Sequence, residues 1–223
     1  MLNDNELETQ NACVAFDWHP EDMGKQYDNI PPQLYEAMMD SVKYRELEEI
    51  CEEIKTLNLP KDIAIVDIGA GTGRAGRFLK SEGFKNIEAI DASQRFLESL
   101  EATGAYSKKH HLYLGMGNYP FEEHKEHFDL VVSAGVWLTG HIPWKGMSEV
   151  VDCMKPGAKW VLAMRTKFYT PGEPERYREG LDELVEQKRI KLVATRTFMR
   201  GSEDCEVDLW KPQESTLLVF EKI

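Results

Sequence analysis

The chain has 223 residues, 42% of them apolar and 30% charged, which is enough to bury one sizeable α/β core. The formal net charge is −12, and residues 1 to 60 carry −10 of it. Neither part has the basic surface that nucleic-acid binding needs, and no apolar run approaches the ~20 residues that span a bilayer. The acidic N-terminus, MLNDNELETQ, has no secretory or transit pattern, so the chain reads as cytoplasmic, with the nucleus left open. Cys13, Cys51, Cys153 and Cys205 lie far apart, with neither a CxxC nor a zinc spacing. They read as reduced thiols, and no metal is expected.

Residues 1 to 15 read as disordered or loosely attached, and residues 16 to 60 as a helical lid. Pro31-Pro32 stops one helix, and a single helix is expected over roughly 33 to 57. Leu47, Ile50, Ile54 and Leu57 make its apolar stripe, with Glu48, Glu49, Glu52 and Glu53 opposite. From residue 61 to 223 the pattern is one α/β unit that packs with the lid. Ile63 to Asp67 is a buried, β-branched run, the signature of a strand covered on both faces. Gly69, Gly71, Gly73 and Gly76 follow, then a helix from Arg74 to Glu82 capped by Gly83. Ile87 to Ile90 is the next strand, closed by Asp91, and Ser93 is placed to cap the helix after it. Strands follow at 111–114, 128–133, 160–164, 190–199 and 216–221, with helices at 144–154 and 174–189. The basic cluster Lys108 to His111 reads as a solvated loop before the third strand. The order implies a doubly wound parallel sheet, and the helix-free connection between the last two strands implies an antiparallel pair.

A strand, a glycine-rich turn and a helix make a ligand-binding turn, because the backbone approaches closely and the helix offers free N–H groups. Gly71-x-Gly73-x-x-Gly76 also satisfies the dinucleotide fingerprint, which keeps a nicotinamide-dependent oxidoreductase as one reading. Asp67 argues against it, since a carboxylate beneath the loop repels a diphosphate and attracts an ammonium group. The pattern Asp67-x-Gly69-x-Gly71-x-Gly73 resembles motif I of class I S-adenosylmethionine-dependent methyltransferases. More narrowly, Tyr27-Asp28, this motif, Asp91-Ala92-Ser93-x-x-x-Leu97, Phe128-Asp129, Lys155-Pro156-Gly157 and Arg165-Thr166 resemble, in that order, the methyltransferase-like family named for the Williams–Beuren syndrome chromosome region. The match covers about residues 15 to 190.

The resemblance implies a Rossmann-like seven-stranded sheet with a C-terminal antiparallel hairpin, S-adenosylmethionine as cofactor and S-adenosylhomocysteine as product. It places Tyr27, Asp67, Gly69, Ala70, Gly71, Gly73, Asp91 and Ala92 at the cofactor, with Asp91 on the ribose hydroxyls. The acid that many such enzymes place after strand three is missing, so Met116, Gly117 and Asn118 stand at the adenine position. Ser133 and Ala134 end strand four, where small residues let cofactor and substrate approach. Candidate substrate-side groups are Trp18, Trp137, Trp144, Arg165 and Tyr169. His141 is the candidate general base, with an unperturbed pKa near neutrality. Arg165 is a candidate clamp for a substrate carboxylate. The expected activity is methyl transfer to a small-molecule or protein acceptor, with no nucleic acid and no membrane involved. The alternative is a cofactor-binding scaffold of the same fold without turnover.

Overall fold

A computed structural model describes residues 20–203 and 211–223. Trp18 and the segment 1–15 lie outside the described residues. The elements run α1 (Pro20–Asp28), α2 (Pro32–Ser41), α3 (Glu46–Thr56), β1 (Ala64–Ile68), α4 (Arg74–Ser81), β2 (Asn86–Asp91), α5 (Gln94–Ser99), β3 (Lys108–His111), β4 (Phe128–Ala134), α6 (Gly146–Cys153), β5 (Met154–Arg165), α7 (Tyr177–Glu186), β6 (Ile190–Arg200) and β7 (Gln213–Lys222). They form one seven-stranded sheet in the order β3-β2-β1-β4-β5-β7-β6. The first five strands are parallel, and β7 runs antiparallel to both β5 and β6. The expected C-terminal pair is therefore present, and its second strand lies inside the sheet while β6 takes the edge.

Strand periodicity divides the core. Val66 and Ile68 point to one face with Val131, Trp160 and Leu162, where α6 and α7 cover them with Met147, Val150 and Leu181. Ile65 points to the other face with Leu130, Val132 and Val161, under Ile50 and Ile54 of α3 and Ala75 and Leu79 of α4. Both faces are buried, which is why these strands read as continuous apolar runs. The stripe predicted on α3 docks on the sheet, so only α1 and α2 are left to overhang the strand ends.

The single helix expected over 33–57 is two helices. Lys43 takes φ +52°, its N–H and that of Tyr44 return to the carbonyls of Asp40 and Met39, and α2 ends in a Schellman turn built without glycine. A lysine there gives no sequence signal.

The third strand lies at 108–111, three residues before the stretch 111–114 predicted to form it. Lys108 to His111 pair with Glu88 to Asp91 as the exposed edge strand rather than forming a loop. Leu112 and Leu114 come after it, buried at 7% and 2% exposure, because they line a cleft and its core rather than the sheet. Strand five begins at Met154, and a register shift against β4 absorbs Lys155 to Gly157.

A candidate cofactor cleft and adjoining chamber

The carboxyl ends of β1, β2 and β4 open onto a cleft with about 690 Å³ of empty space, open solvent included. Its floor is the turn after β1. The amides of Gly69 and Ala70 both donate to the Ile90 carbonyl, at 2.8 and 3.1 Å, which ties the turn to β2. Gly69 has φ +70°, and a Cβ there would collide with Val136 Cγ1, so only glycine fits. Gly71 has φ +53° for a different reason: nothing but the Gly69 carbonyl oxygen, 3.9 Å away, lies near the place of its missing Cβ. That space belongs to the cleft. Gly73 caps α4 at φ +85°, and Ala70 is buried beneath the turn.

Asp91 sits at the cleft wall. One carboxylate oxygen accepts the Gly71 amide at 2.7 Å and the other the Ser93 amide at 2.8 Å. Burial raises its pKa against these two hydrogen bonds. Ala92 follows on the same wall, and its carbonyl accepts from His111. Ser93 caps α5 as expected, its hydroxyl accepting the Phe96 amide and donating to Asp28 at the end of α1. Phe96, Leu112, Tyr113 and Leu114 form an aromatic and aliphatic side of the cleft.

Asp67 lies beneath the glycine turn and is 3% exposed. It faces a small recess beside the cleft that shares Tyr35, Gly69, Gly71 and Ala134 with it. The Tyr106 hydroxyl donates to Asp67 Oδ2 at 2.6 Å. Burial pushes the Asp67 carboxyl up to about 7, Tyr106 opposing the shift and Asp91 adding to it.

The overhanging helices close the cleft. Met23 and Tyr27 of α1 and Tyr35 of α2 line it. Gly24 lets α1 approach the Ala92 carbonyl and the Tyr113 ring, where any side chain would collide. Its one sequence signal is an isolated glycine in a helical stretch. α2 is anchored by Glu36, whose two oxygens take Arg74 Nε at 2.8 Å and Arg77 Nη2 at 2.7 Å.

His141 stands where this cleft meets a second chamber, and Tyr27, Tyr35 and Gly135 also border both. Its Nδ1 is 3.1 Å from the Thr139 carbonyl, which can only accept, so Nδ1 carries the proton. Nε2 is then the lone-pair nitrogen, and it accepts the Tyr27 hydroxyl at 3.0 Å. Burial drives the imidazole down to about 4; the Thr139 bond opposes this and the charge of Arg165 adds to it. The loop around it is held by the Tyr177 hydroxyl, within 2.9 Å of the Leu138 and 2.7 Å of the Ile142 carbonyl.

The remaining residues singled out from the sequence fall in different places. Ala134 lines the cleft, whereas Ser133 is fully buried and accepts the indole N–H groups of Trp137 and Trp160 at 2.9 and 3.0 Å. Trp137 and Arg165 line the second chamber. Met116, Gly117 and Asn118 are exposed outside the cleft lining, because Glu149 draws the Gly115 and Gly117 amides, each at 2.7 Å, toward α6. Leu112 to Leu114 occupy the wall instead. Trp144 and Tyr169 also stand outside the cleft and chamber, covered by the guanidinium groups of Arg176 and Arg178. Away from both spaces, Glu88, His110 and His124 gather three potential ligand atoms within 4.8 Å, and the Lys108 ammonium is already on Glu88 at 3.0 Å.

The donor set suits a nucleoside carrying an amino acid. Two carboxylates, Asp91 and Asp67, flank the glycine turn, and the space at Gly71 is open. A diphosphate would meet both carboxylates. The sheet order, with its antiparallel β5-β7-β6 end, is the Rossmann-like methyltransferase fold.

The comparisons agree. Residues 65–157 match the family described as a methyltransferase domain. The chain is 28% identical over 128 residues to methyltransferase-like protein 27 of Homo sapiens, covering 57% of this chain and 49% of that protein. It is 29% identical over 106 residues to the tRNA U34 carboxymethyltransferase of Cellvibrio japonicus, covering 46% of this chain and 32% of that one. The chain thus spans between about a third and a half of the curated relatives it matches. Among solved structures, a TehB-like SAM-dependent methyltransferase from Corynebacterium glutamicum shares the fold, with TM-score 0.55, 19% identity and coverage of 78% of this chain and 87% of that one. No helix among the described residues is long and apolar enough to cross a membrane.

Proposed function

We propose that this chain transfers a methyl group from S-adenosylmethionine to a small acceptor bound in the second chamber. The observation that carries the reading is the hydrogen bond from the Gly71 amide to Asp91, which sets a carboxylate beside an open backbone cradle at the end of β2. In this reading Asp91 accepts the ribose hydroxyls, and the wall of Phe96, Leu112 and Leu114 takes the adenine ring. Asp67 receives the ammonium of the amino-acid end. Bound there, the cofactor supplies an activated methyl group on a sulfonium.

The protein's part is alignment, exclusion of water and management of one proton. α1 and α2 cover the cleft, and Glu36 fastens α2 to the helix after the glycine turn. Asp67, the Gly71 turn and Asp91 would hold a cofactor that would supply its methyl carbon to the acceptor's lone pair and would keep the carbon–sulfur electron pair on its own sulfur. An acceptor that carries a proton releases it to the Tyr27 hydroxyl oxygen as that hydroxyl passes its own proton to His141 Nε2. Acceptors named for the relatives include tRNA. The net charge of −12 and the covered chamber favour a small molecule over a polyanion here.

Calorimetric titration with S-adenosylhomocysteine, with NAD as the control ligand, tests the reading. Micromolar binding of the first and none of the second is expected. Binding of NAD alone, or of neither, would overturn it.

A further inference from the structure

The second chamber buries three charges: Glu46 is 2% exposed, Arg200 4% and Arg165 6%. Buried charges are costly unless each finds a partner. Glu46 lies 3.6 Å from Arg200 and also accepts the Ser215 hydroxyl at 3.0 Å, while Arg200 packs over the Tyr44 ring. Arg165 is differently placed. Its guanidinium lies 4.7 Å over the Phe168 ring, and among the described residues no carboxylate stands within ion-pairing distance of it. Glu175, the other acid whose charge reaches it, has one oxygen on the Thr139 hydroxyl and the other buried without a hydrogen-bond partner. Burial, with Arg200 adding to it, pulls the Arg165 guanidinium down to about 10. A rigid fork of donors thus lines the chamber, and among the described residues no side chain accepts a hydrogen bond from it.

We infer that the methyl acceptor carries a carboxylate and that this carboxylate docks on Arg165. The inference rests on the methyltransferase reading and adds the acceptor's chemical class. One guanidinium without a carboxylate partner calls for one planar monoanion, which it binds through two parallel hydrogen bonds. The chamber meets the cofactor cleft at His141, an arrangement suited to a small organic acid that spans from one to the other. Its nucleophilic atom then lies at the junction and its carboxylate at the far wall. Arg165 also works on the base. Its charge lowers the basicity of His141, so a carboxylate arriving on Arg165 relieves that effect and strengthens Nε2 as a proton acceptor when the acceptor is in place.

The test is a titration of ¹⁵N-arginine-labelled protein with acetate and with benzoate, and with benzamide and phenyl phosphate as neutral and dianionic controls. It is run with and without saturating S-adenosylhomocysteine. The Arg165 Nε–H resonance is assigned by its loss in Arg165→Lys. A saturable shift with a carboxylate, none with benzamide, and about tenfold weaker binding in Arg165→Lys are expected. Arg165→Gln is the stricter variant; if it does not fold, the wild-type and Lys arms decide. No saturable shift with either carboxylate, or tighter binding of phenyl phosphate, would overturn the inference. The Gly71 amide, followed in a uniformly ¹⁵N-labelled sample, reports the cofactor separately. Carboxylate binding without a response at Gly71 therefore refutes the methyltransferase reading, and the opposite pattern refutes only the acceptor class.

Discussion

The Tyr106 hydroxyl donates to Asp67 Oδ2 at 2.6 Å, and its phenol oxygen accepts the Gly76 amide at 3.0 Å. One phenol thus joins the carboxylate of β1 to the first turn of α4. A Cβ at Gly76 would stand inside the Tyr106 ring. The third glycine of the dinucleotide-like fingerprint is therefore explained by this tyrosine. Tyr106→Phe should cost about 1 kcal/mol in unfolding free energy. It should also weaken S-adenosylhomocysteine binding, because Asp67 loses the bond that favours its ionised form. Gly76→Ala should destabilise more than Tyr106→Phe in denaturant unfolding; equal or smaller loss would contradict the packing argument.

Ionisation of Asp67 predicts a pH dependence of cofactor binding. Its ordinary value is 3.8 and burial raises it to about 7. Between those values the folded protein keeps a proton that the unfolded chain has lost, so this group's contribution to stability falls as pH rises from about 4 to about 7 and stays level above. A ligand ammonium needs the ionised form. Affinity for S-adenosylhomocysteine should rise about tenfold between pH 6 and pH 8 and then level off. Calorimetry on Asp67→Asn should show weaker binding with this rise removed.

The two glycines of the turn should fail in different ways. Gly69→Ala drives a methyl into Val136 and is expected to lower thermal stability. Gly71→Leu meets open space and bears mainly the strain of φ +53°, on the order of 1–2 kcal/mol. It should stay folded by circular dichroism while losing cofactor binding, because its side chain occupies the cleft. Unchanged affinity in Gly71→Leu would contradict the cleft assignment.

Closure depends on Glu36. Burial raises its pKa, but hydrogen bonds from Thr72, Arg77 and Arg74 outweigh that and hold it below the usual range. Its contribution is thus present above its unfolded value and lost as pH falls through the lower folded one. Glu36→Gln should loosen α2, speed hydrogen exchange in residues 32–41 and raise the KM for S-adenosylmethionine. Added salt should reproduce part of the effect in the wild type, since Arg77 is half exposed.

His141, depressed to about 4, stays neutral above that pH in the folded state, whereas the unfolded residue binds a proton near 6.5. Stability should therefore fall as pH drops from about 6.5 toward 4, and His141→Gln should lose that component in urea unfolding across this range. A rate profile without an inflection near 6.5 is the matching kinetic expectation.

The part of the site that was legible in the sequence is local. Asp67, the three glycines and Asp91 fall within 25 consecutive residues, and strand, turn, helix and strand bring them together with no help from elsewhere. Ser93 as a helix cap was legible for the same reason. The break at Lys43 was not, because a lysine took the left-handed position that glycine usually advertises. The third strand was misplaced because Leu112 and Leu114 are apolar for the cleft, while the true edge strand is charged and exposed. Met116 to Asn118 were placed by the family resemblance, and the pull of Glu149 on the Gly115 and Gly117 amides has no sequence signature.

The sequence by itself determined the alternating fold, the glycine turn and its carboxylates, since each depends on neighbours along the chain. The second chamber was decided only by tertiary structure. Glu46 meets Ser215 across 169 positions, Tyr27 meets His141 across 114, and Arg165 gains its character from what does not reach it. Such relations come from strand order and helix docking, which bring distant residues together at the ends of a sheet. No periodicity records them, because each partner is an ordinary residue in its own segment.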